Sequence, residues 1–229
     1  MENSRDRDAL YEELSSTIKF QINKLQMIAP EMKEHVHSVP KIAKQIAKKL
    51  NLNEEGIKFC IKCAYLHDVG KLFIPLELLE KKDKLNFFEK RKMREHTLKG
   101  YELCMSTASL TSYANGARSH HENERGNGYP DGLTKGSIPL EAEIIKVSDI
   151  YDTVCLRREY KPELSRVEAL SIIQKEVSKK LINTQVFNAL LEVVEDELRE
   201  EVIEAEDNQE FEKREKAQQE MIEIMRLRK

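Results

Sequence analysis

Apolar residues recur every three or four positions through much of the chain, which is the spacing that an amphipathic α-helix produces. Leu10, Leu14 and Ile18 show this spacing in the first predicted helix, which runs from Asp6 to about Ile28. No segment alternates apolar and polar positions convincingly in the way that a half-buried β-strand does. The pattern therefore predicts an all-α fold, a bundle of packed helices.

Polar residues and proline indicate where several of these helices begin. Pro30 suits the first turn of a second helix, and Asn53 can cap a third helix that ends near Gly70. Ser165, with Glu168 three residues later, forms a capping box. Further helices are predicted at about residues 86–105, 109–122 and 140–156.

Two stretches depart from this strongly helical pattern. Residues 126–136 contain four of the chain's eight glycines together with Pro130, which predicts a shaped loop between helices. After about Glu195 the chain becomes very polar, which indicates either a solvated helix or a helix that binds a protein partner or a second copy. The predicted division is an N-terminal helical segment (1–29), a central domain (30–194) and a long charged C-terminal helix (195–229).

Composition narrows the class of protein. The 229 residues carry a formal net charge of −3, so the chain offers no general attraction for a nucleic-acid polymer. Its apolar stretches are too short to span a membrane, and the first ten residues lack the apolar core of a signal peptide. We therefore expect a cytoplasmic protein with no membrane contact.

The four cysteines are too scattered for a disulfide scaffold. Cys60 and Cys63 form a C-x-x-C pair, which is compatible with half of a zinc site or with a redox pair. The pair lies in a helical pattern with no second pair at zinc-site spacing, so two small residues on a buried helix face is the favoured interpretation.

The histidines give the clearest indication of chemistry, because five of the six lie beside carboxylates or helix ends. His67 and Asp68 are adjacent, and the two oxygens of a carboxylate can bridge two cations. His120 and His121 form a second adjacent pair. These two pairs favour a cluster of metal ligands.

Two further residues extend this set. His96 lies in the helix between the two pairs, and Asp149 lies in an apolar run where an unpaired carboxylate would be costly to bury. Taken singly, each has an ordinary explanation, such as a surface histidine or an acid on a helix face. Together they favour metal binding.

The ordered motifs are H-D-V-G-K at 67–71, His96, H-H-E at 120–122, G-N-G-Y-P-D-G-L at 126–133, I-P-L at 138–140, D-I-Y-D at 149–152 and R-E-Y-K at 158–161. In this order and spacing they closely resemble the HD-GYP branch of the HD phosphohydrolase superfamily. The match spans about residues 31–190. The resemblance implies that 30–194 is an HD-GYP phosphohydrolase domain with an HD-domain-like helical bundle.

The resemblance also implies an activity: metal-dependent hydrolysis of cyclic di-GMP to the linear dinucleotide pGpG, by a metal-bound hydroxide. It implies two or three divalent ions, iron or manganese in most of the family. The ligands implied by position are His67, Asp68, His96, His120, His121 and Asp149, with Asp68 as the bridge between ions.

The upstream end of the family pattern implies one more histidine. The register of the following apolar positions, beginning at Val39, selects His35 over His37. Glu31 precedes His35 by four residues and shares its helix face. The resemblance to family members with a Glu at this place implies a third metal and onward cleavage to GMP. A simple acid at a helix N-terminus is the alternative interpretation of Glu31.

The resemblance assigns the substrate contacts as well. Lys71 matches a catalytic lysine that directs its charge at the scissile phosphate, and Arg158 and Lys161 match a basic pair that binds the nucleotide. An ordinary exposed helix end is the alternative for that basic pair. The loop around Tyr129 is expected to shape the rim of the site and to dock a protein partner, without a direct catalytic role.

The sequence departs from the family pattern in the loop and near the upstream histidine. Arg125 stands where the family usually has Asp, Glu124 where it has an aromatic residue, and Ser38 where Arg is common. These departures concern contacts of the loop and packing near His35, and they leave the metal ligands in place. Two other functions stay open: a phosphohydrolase for another cyclic dinucleotide or nucleotide, and a non-catalytic signalling module.

Overall fold

The computed structural model describes residues 9–155 and 164–228. The α-helices are α1 (Ser16–Ile28), α2 (Lys33–Lys49), α3 (Glu54–Leu66), α4 (Leu76–Leu79), α5 (Phe87–Met105), α6 (Ala114–Ser119), α7 (Leu140–Cys155), α8 (Arg166–Ser178), α9 (Thr184–Asp207) and α10 (Phe211–Leu227). Short 3-10 helices are η1 (Pro30–Met32), η2 (Val69–Phe73) and η3 (Thr111–Tyr113). Across these two ranges there is no strand, so the predicted all-α fold is confirmed.

Three predicted helix starts are confirmed by their capping bonds. The Asn53 side chain accepts the Gly56 N–H at 2.8 Å at the start of α3. Asn86 opens α5 with a capping box. Ser165 and Glu168 form the predicted capping box of α8, in which each side chain accepts the other's backbone N–H.

The structure differs from the predicted boundaries in three places. The helix predicted from Asp6 is interrupted at residues 13–15, because the Ser15 side chain accepts the Ile18 N–H and starts α1. The third helix ends at Leu66, before the tighter turn of η2. The helix predicted at 109–122 is only α6, preceded by η3. Each difference arises from local hydrogen bonding or close packing that apolar spacing does not encode.

The polar C-terminal segment forms two helices instead of one. The chain leaves α9 at Asn208, passes through Gln209 with φ +59°, and starts α10. α10 packs on α8 and α9, and its Ala217 and Ile224 are buried. Buried apolar residues of this segment therefore pack within the chain, while Phe211 and Met225 remain exposed.

The helices pack around one hydrophobic core. α2 lies against α3, α7 and α9, while α5 lies against η2 and α6. The core includes Leu25 of α1 and Ile224 of α10, so both ends of the described chain contribute to it. Cys60 and Cys63 are buried on α3 with free thiols, on the predicted buried face. In the ranges that the structure covers, no helix combines the length and the apolar composition needed to cross a bilayer.

Candidate metal centre

Two sets of ligand atoms converge between α2, η2, α5 and α6. The first, which we call the Asp68 group, consists of His35, His67 and Asp68. The second, the His120 group, consists of His96, His120 and His121. Within each set the ligand atoms lie within 4.8 Å of one another.

Asp68 joins the two groups. Its Oδ2 lies 3.3 Å from His67 Nε2 and 3.7 Å from His35 Nε2. Its other oxygen, Oδ1, lies 3.4 Å from His96 Nε2 in the His120 group. Each carboxylate oxygen therefore faces a different set of imidazole nitrogens, which is the arrangement that a bridging carboxylate requires.

Close packing of η2 on α5 brings the groups together. A Cβ on Gly70 would lie 1.8 Å from the His96 carbonyl oxygen and 2.4 Å from the Gly100 nitrogen. Only glycine permits this approach, and it places the Asp68 end of η2 beside His96. The glycine of the H-D-V-G-K motif thus has a packing function.

Backbone carbonyls fix the orientation of three of these imidazoles. Nδ1 of His67 donates to the Ala64 carbonyl at 2.6 Å, and Nδ1 of His96 donates to the Met93 carbonyl at 2.7 Å. His120 Nδ1 donates to the Ala117 carbonyl at 2.9 Å. Since a carbonyl can only accept, each neutral ring carries its lone pair on Nε2, directed into the cluster. Metal-binding histidines in proteins are commonly held in this way.

The Nε2 lone pairs of these buried imidazoles favour a bound cation. His96 Nε2 and His120 Nε2 lie 3.3 Å apart, and with both protons on Nδ1 neither nitrogen can donate to the other. Nε2 of His67 is buried and has no hydrogen-bond partner among the described residues, although it faces the Asp68 carboxylate. Buried acceptors that face other acceptors are costly, and a divalent cation would satisfy them. The donor set of imidazoles and carboxylate suits such an ion.

The pKa values of His120 and Asp68 keep the ligand atoms of these two residues available. Burial and the neighbouring imidazoles hold the pKa of His120 well below its usual range, so its ring stays neutral. Burial alone would raise the pKa of Asp68, but Lys71 and the surrounding histidines hold it well below the usual range. Lys71 Nζ donates to Asp68 Oδ2 at 2.5 Å. Asp68 is therefore a carboxylate at neutral pH.

The predicted site residues have different positions. The structure brings together His35, His67, Asp68, His96, His120 and His121, with Lys71 beside them. Asp149 lies next to this set, with its Oδ1 3.4 Å from His35 Nε2. Glu31 is exposed on η1 and is in neither group of the described ligand atoms. Arg158 and Lys161 lie outside the described residues.

His37 lies away from the cluster, as the register of α2 predicts. Its Nε2 is 3.0 Å from the Gln26 side chain, and its ring packs edge-on against Tyr11 and Tyr65. His35 instead lies with its Nδ1 2.7 Å from Asp152 Oδ2. His35 and His37, two residues apart on α2, therefore point into different surroundings.

Sequence reasoning missed several residues that support the site. Asp152 closes the D-I-Y-D motif and accepts from His35, so its spacing of three from Asp149 was the available signal. Tyr129 stacks on His121, with ring centroids 4.7 Å apart, and Arg94 lies over the Tyr129 ring. No pattern in the sequence indicates these ring contacts.

Glu122, the last residue of the H-H-E motif, anchors the Gly-rich loop. Its carboxylate accepts the backbone N–H groups of Asp131, Gly132 and Leu133, at 2.7 to 3.0 Å. Gly128 packs directly on Glu122, where an added Cβ would lie 2.5 Å from Cα. The Gly-rich loop is therefore tied to the residue that follows His121.

Comparison with known proteins places this site in a family. Residues 19–186 match the sequence profile of the HD domain family. The structure resembles Bd1817, an HDG"Y"P protein from Bdellovibrio bacteriovorus, with a TM-score of 0.57 at 18% identity, covering 80% of this chain and 60% of that one. It also resembles the HD domain of the L. monocytogenes phosphodiesterase PgpH in complex with cyclic-di-AMP, with a TM-score of 0.56 at 18% identity over 74% of this chain and 92% of that one. These likenesses concern the fold.

Curated relatives are more similar in sequence. The 3'3'-cGAMP-specific phosphodiesterase 1 of Vibrio cholerae is 31% identical over 158 residues, which cover 69% of this chain and 37% of that protein. The cyclic di-GMP phosphodiesterase response regulator RpfG of Xanthomonas campestris is 36% identical over 152 residues, which cover 66% of this chain and 40% of that protein. The chain thus spans about two fifths of the length of these relatives. Since the profile matches most of the chain, this protein belongs to the HD-domain family, as its HD-GYP motifs predicted.

Proposed function

We propose that this chain is a metal-dependent phosphodiesterase that hydrolyses cyclic di-GMP to pGpG. The observation that carries this proposal is the position of Asp68, whose two oxygens face the two ligand groups at 3.3 Å from His67 Nε2 and 3.4 Å from His96 Nε2. Two cation positions that share a carboxylate suit phosphodiester cleavage, because both the attacking and the leaving oxygen need positive charge nearby.

The roles of the residues follow from their positions. Divalent cations held by the two groups would lower the pKa of bound water and neutralise charge on the phosphoryl oxygens. His67, His96 and His120 would hold these cations through Nε2, since their Nδ1 atoms are engaged by backbone carbonyls. Lys71 supplies a fixed positive charge beside Asp68, and we propose that this charge faces the scissile phosphate.

The choice of cyclic di-GMP as the substrate rests on the relatives and on local positive charge. The relatives and the structural neighbour are named for cyclic di-GMP, 3'3'-cGAMP and cyclic-di-AMP, which share a cyclic phosphodiester backbone and differ in their bases. We assign Arg158 and Lys161 to phosphate and base contacts, because the net charge of −3 leaves binding to local cations. Glu31 is exposed and outside both groups, so pGpG is the proposed first product, and onward cleavage to GMP through a third metal at Glu31 stays a prediction.

The decisive test is hydrolysis by anaerobically purified protein with Mn²⁺ or Fe²⁺ and a panel of the three cyclic dinucleotides. We expect metal-dependent turnover of cyclic di-GMP, and loss of that turnover in Asp68→Asn, which keeps the shape of the side chain and removes its charge. Asp196→Asn is the matched control, since that carboxylate pairs with Lys49 on the surface between α2 and α9.

Each result has a distinct meaning. Faster turnover of another cyclic dinucleotide would change the proposed substrate and leave the proposed reaction, metal-dependent phosphodiester hydrolysis, unchanged. Bound metal without turnover of any member of the panel would overturn the proposed reaction. Failure to bind metal would favour the non-catalytic signalling module. Appearance of GMP would support the third-metal interpretation of Glu31.

A further inference from the structure

One metal-ligand candidate is oriented differently from the others. The rings of His67, His96 and His120 donate Nδ1–H to backbone carbonyls, and His35 Nδ1 contacts Asp152. Within the described parts of the chain, the His121 ring makes no such hydrogen bond. A histidine ligand usually needs a partner that fixes its ring, so another contact must supply the orientation of His121.

Among the described residues three rings lie against His121, and only Tyr129 is nearly parallel to it: the centroids of His120 and His96 lie 4.2 and 5.1 Å away, with interplanar angles of 45° and 89°. The Tyr129 and His121 rings lie nearly parallel, with an interplanar angle of 20° and centroids 4.7 Å apart. The Arg94 guanidinium lies over the same tyrosine ring, with Cζ 4.8 Å from the centroid. An offset stack restricts rotation of the imidazole about its Cβ–Cγ bond and has the range of separation that aromatic pairs prefer.

The loop that carries Tyr129 is itself held beside His121. Glu122, the next residue in the chain, accepts three backbone N–H groups of the loop. Asp131 also forms a bidentate pair with Arg118 of α6, with both distances 2.7 Å. The position of the tyrosine ring is therefore fixed relative to α6 and to His121.

We infer that Tyr129 of the Gly-rich loop is a positioning residue that orients His121 for metal binding, by ring stacking in place of a hydrogen bond. In its reference to bound metal, this inference rests on the proposed function. It gives the Gly-Tyr-Pro loop a role in building the His120 group, beyond shaping the rim of the site. The aromatic ring carries this role and the hydroxyl does not, because it is the ring that contacts His121.

The test is Mn²⁺ binding by metal-free full-length protein, measured by calorimetry. Tyr129→Leu removes the stack while keeping an apolar side chain, and we expect one binding step to weaken by roughly 10- to 100-fold, the usual cost of losing an outer-shell partner. The step that belongs to the Asp68 group should keep its affinity. Tyr129→Phe keeps the ring and should bind both ions as the wild type does.

The matched control is Tyr113→Leu, which removes an aromatic contact with Phe59 away from the cluster. It should leave both binding steps unchanged. Equal affinity in Tyr129→Leu and wild type would overturn the inference. An equal weakening of both steps would do the same, as would a Tyr129→Phe protein that behaves like Tyr129→Leu.

A second measurement is made on the wild type, with a variant used only to assign resonances. In metal-free wild type, the Tyr129 ring should shift the His121 ring protons upfield, and His121→Gln identifies their resonances. His121 resonances at ordinary positions would contradict the stack. Both readouts are independent of cyclic dinucleotide turnover, so a failed hydrolysis assay leaves the positioning role open to test.

Discussion

The Asp68 group and the His120 group lie side by side, yet their histidines are in opposite electrostatic surroundings. Burial alone would lower the pKa of His35, but hydrogen bonds with Asp152 and Asp68 and the charge of Asp149 raise it to about 9. Burial and the neighbouring imidazoles lower the pKa of His121 well below its usual range. The carboxylates beside His35, set against the burial and the neighbouring imidazoles of His121, produce the difference in pKa.

This contrast implies that the two proposed cations would be held in different ways. The Asp68 group offers negative charge, with Asp149 and Asp152 beside it. The His120 group offers neutral nitrogen lone pairs, and its geometry depends on backbone carbonyls and one ring stack. Changes in one group should therefore leave the other intact, unless they act on the contact between them.

The largest effect should come from separating the two groups. In Gly70→Ala the new Cβ would meet the His96 carbonyl oxygen at 1.8 Å, so η2 has to move away from α5. We expect a loss of about 3 kcal/mol or more in the free energy of unfolding, at the upper end for overpacking. Both Mn²⁺ binding steps should weaken together. Urea unfolding and calorimetry measure these two effects.

Gly56→Ala is the control for that substitution. Its Cβ, inside helix α3, would lie 3.2 Å from the end of the Asn53 side chain and 3.4 Å from the Leu52 side chain, with no backbone atom among these contacts. Its free energy of unfolding should stay within about 1 kcal/mol of wild type, because alanine also favours the helix. If Gly70→Ala were as stable as Gly56→Ala, the close contact of η2 with α5 would not be what joins the groups.

Adding metal should stabilise the protein by the next largest amount. A cation relieves the facing lone pairs of His96 and His120, whose Nε2 atoms lie 3.3 Å apart. At Mn²⁺ one hundred times above its Kd, we expect a gain of about 2.7 kcal/mol. For a chain of this length that corresponds to a rise in Tm of roughly 5 to 10 °C. Thermal unfolding with and without chelator measures it, and Asp68→Asn should show little gain.

The fold was largely predictable because helix starts and apolar faces are local signals. Asn53, Asn86 and Ser165 each start a helix as their side-chain chemistry predicts. The division of the C-terminal segment at Gln209 was not predictable, since helix propensity alone does not show where α10 folds back on α9.

The site was predictable to the extent that its residues occur in motifs. His67 and Asp68 are adjacent in sequence, and family spacing adds His96 and His120. The contact of Tyr129 with His121 depends on the path of a glycine-rich loop, which is set by Glu122 and by packing. Asp152 was visible in a motif, but its bond to His35 joins residues 117 positions apart.

A smaller effect is expected from Asp152→Asn, which removes a negative charge and so makes the surroundings of the Asp68 group more like those of the His120 group. Asp152→Asn keeps an acceptor for His35 Nδ1 but removes the negative charge, so the pKa of His35 should fall from about 9. We expect one Mn²⁺ step to weaken by about 10-fold, the lower end for an outer-shell partner. NMR titration of the metal-free protein and calorimetry test both parts. A weakened step in the His120 group instead would show that the groups are not independent.

The smallest effect is expected from Arg118→Gln, which distinguishes the anchoring of the loop from the stacking of its Tyr129 ring. Arg118 pairs with Asp131 at the partly exposed edge of the loop and lies over the Tyr101 ring. Arg118→Gln should cost at most about 1 kcal/mol in the free energy of unfolding, because exposed ion pairs contribute little. Since Glu122 still accepts three N–H groups of the loop, Tyr129 should keep its stack on His121, and both Mn²⁺ steps should be unchanged. If Arg118→Gln instead weakened the same step as Tyr129→Leu, the anchoring of the loop as a whole would position His121, and the ring stack would be only its consequence.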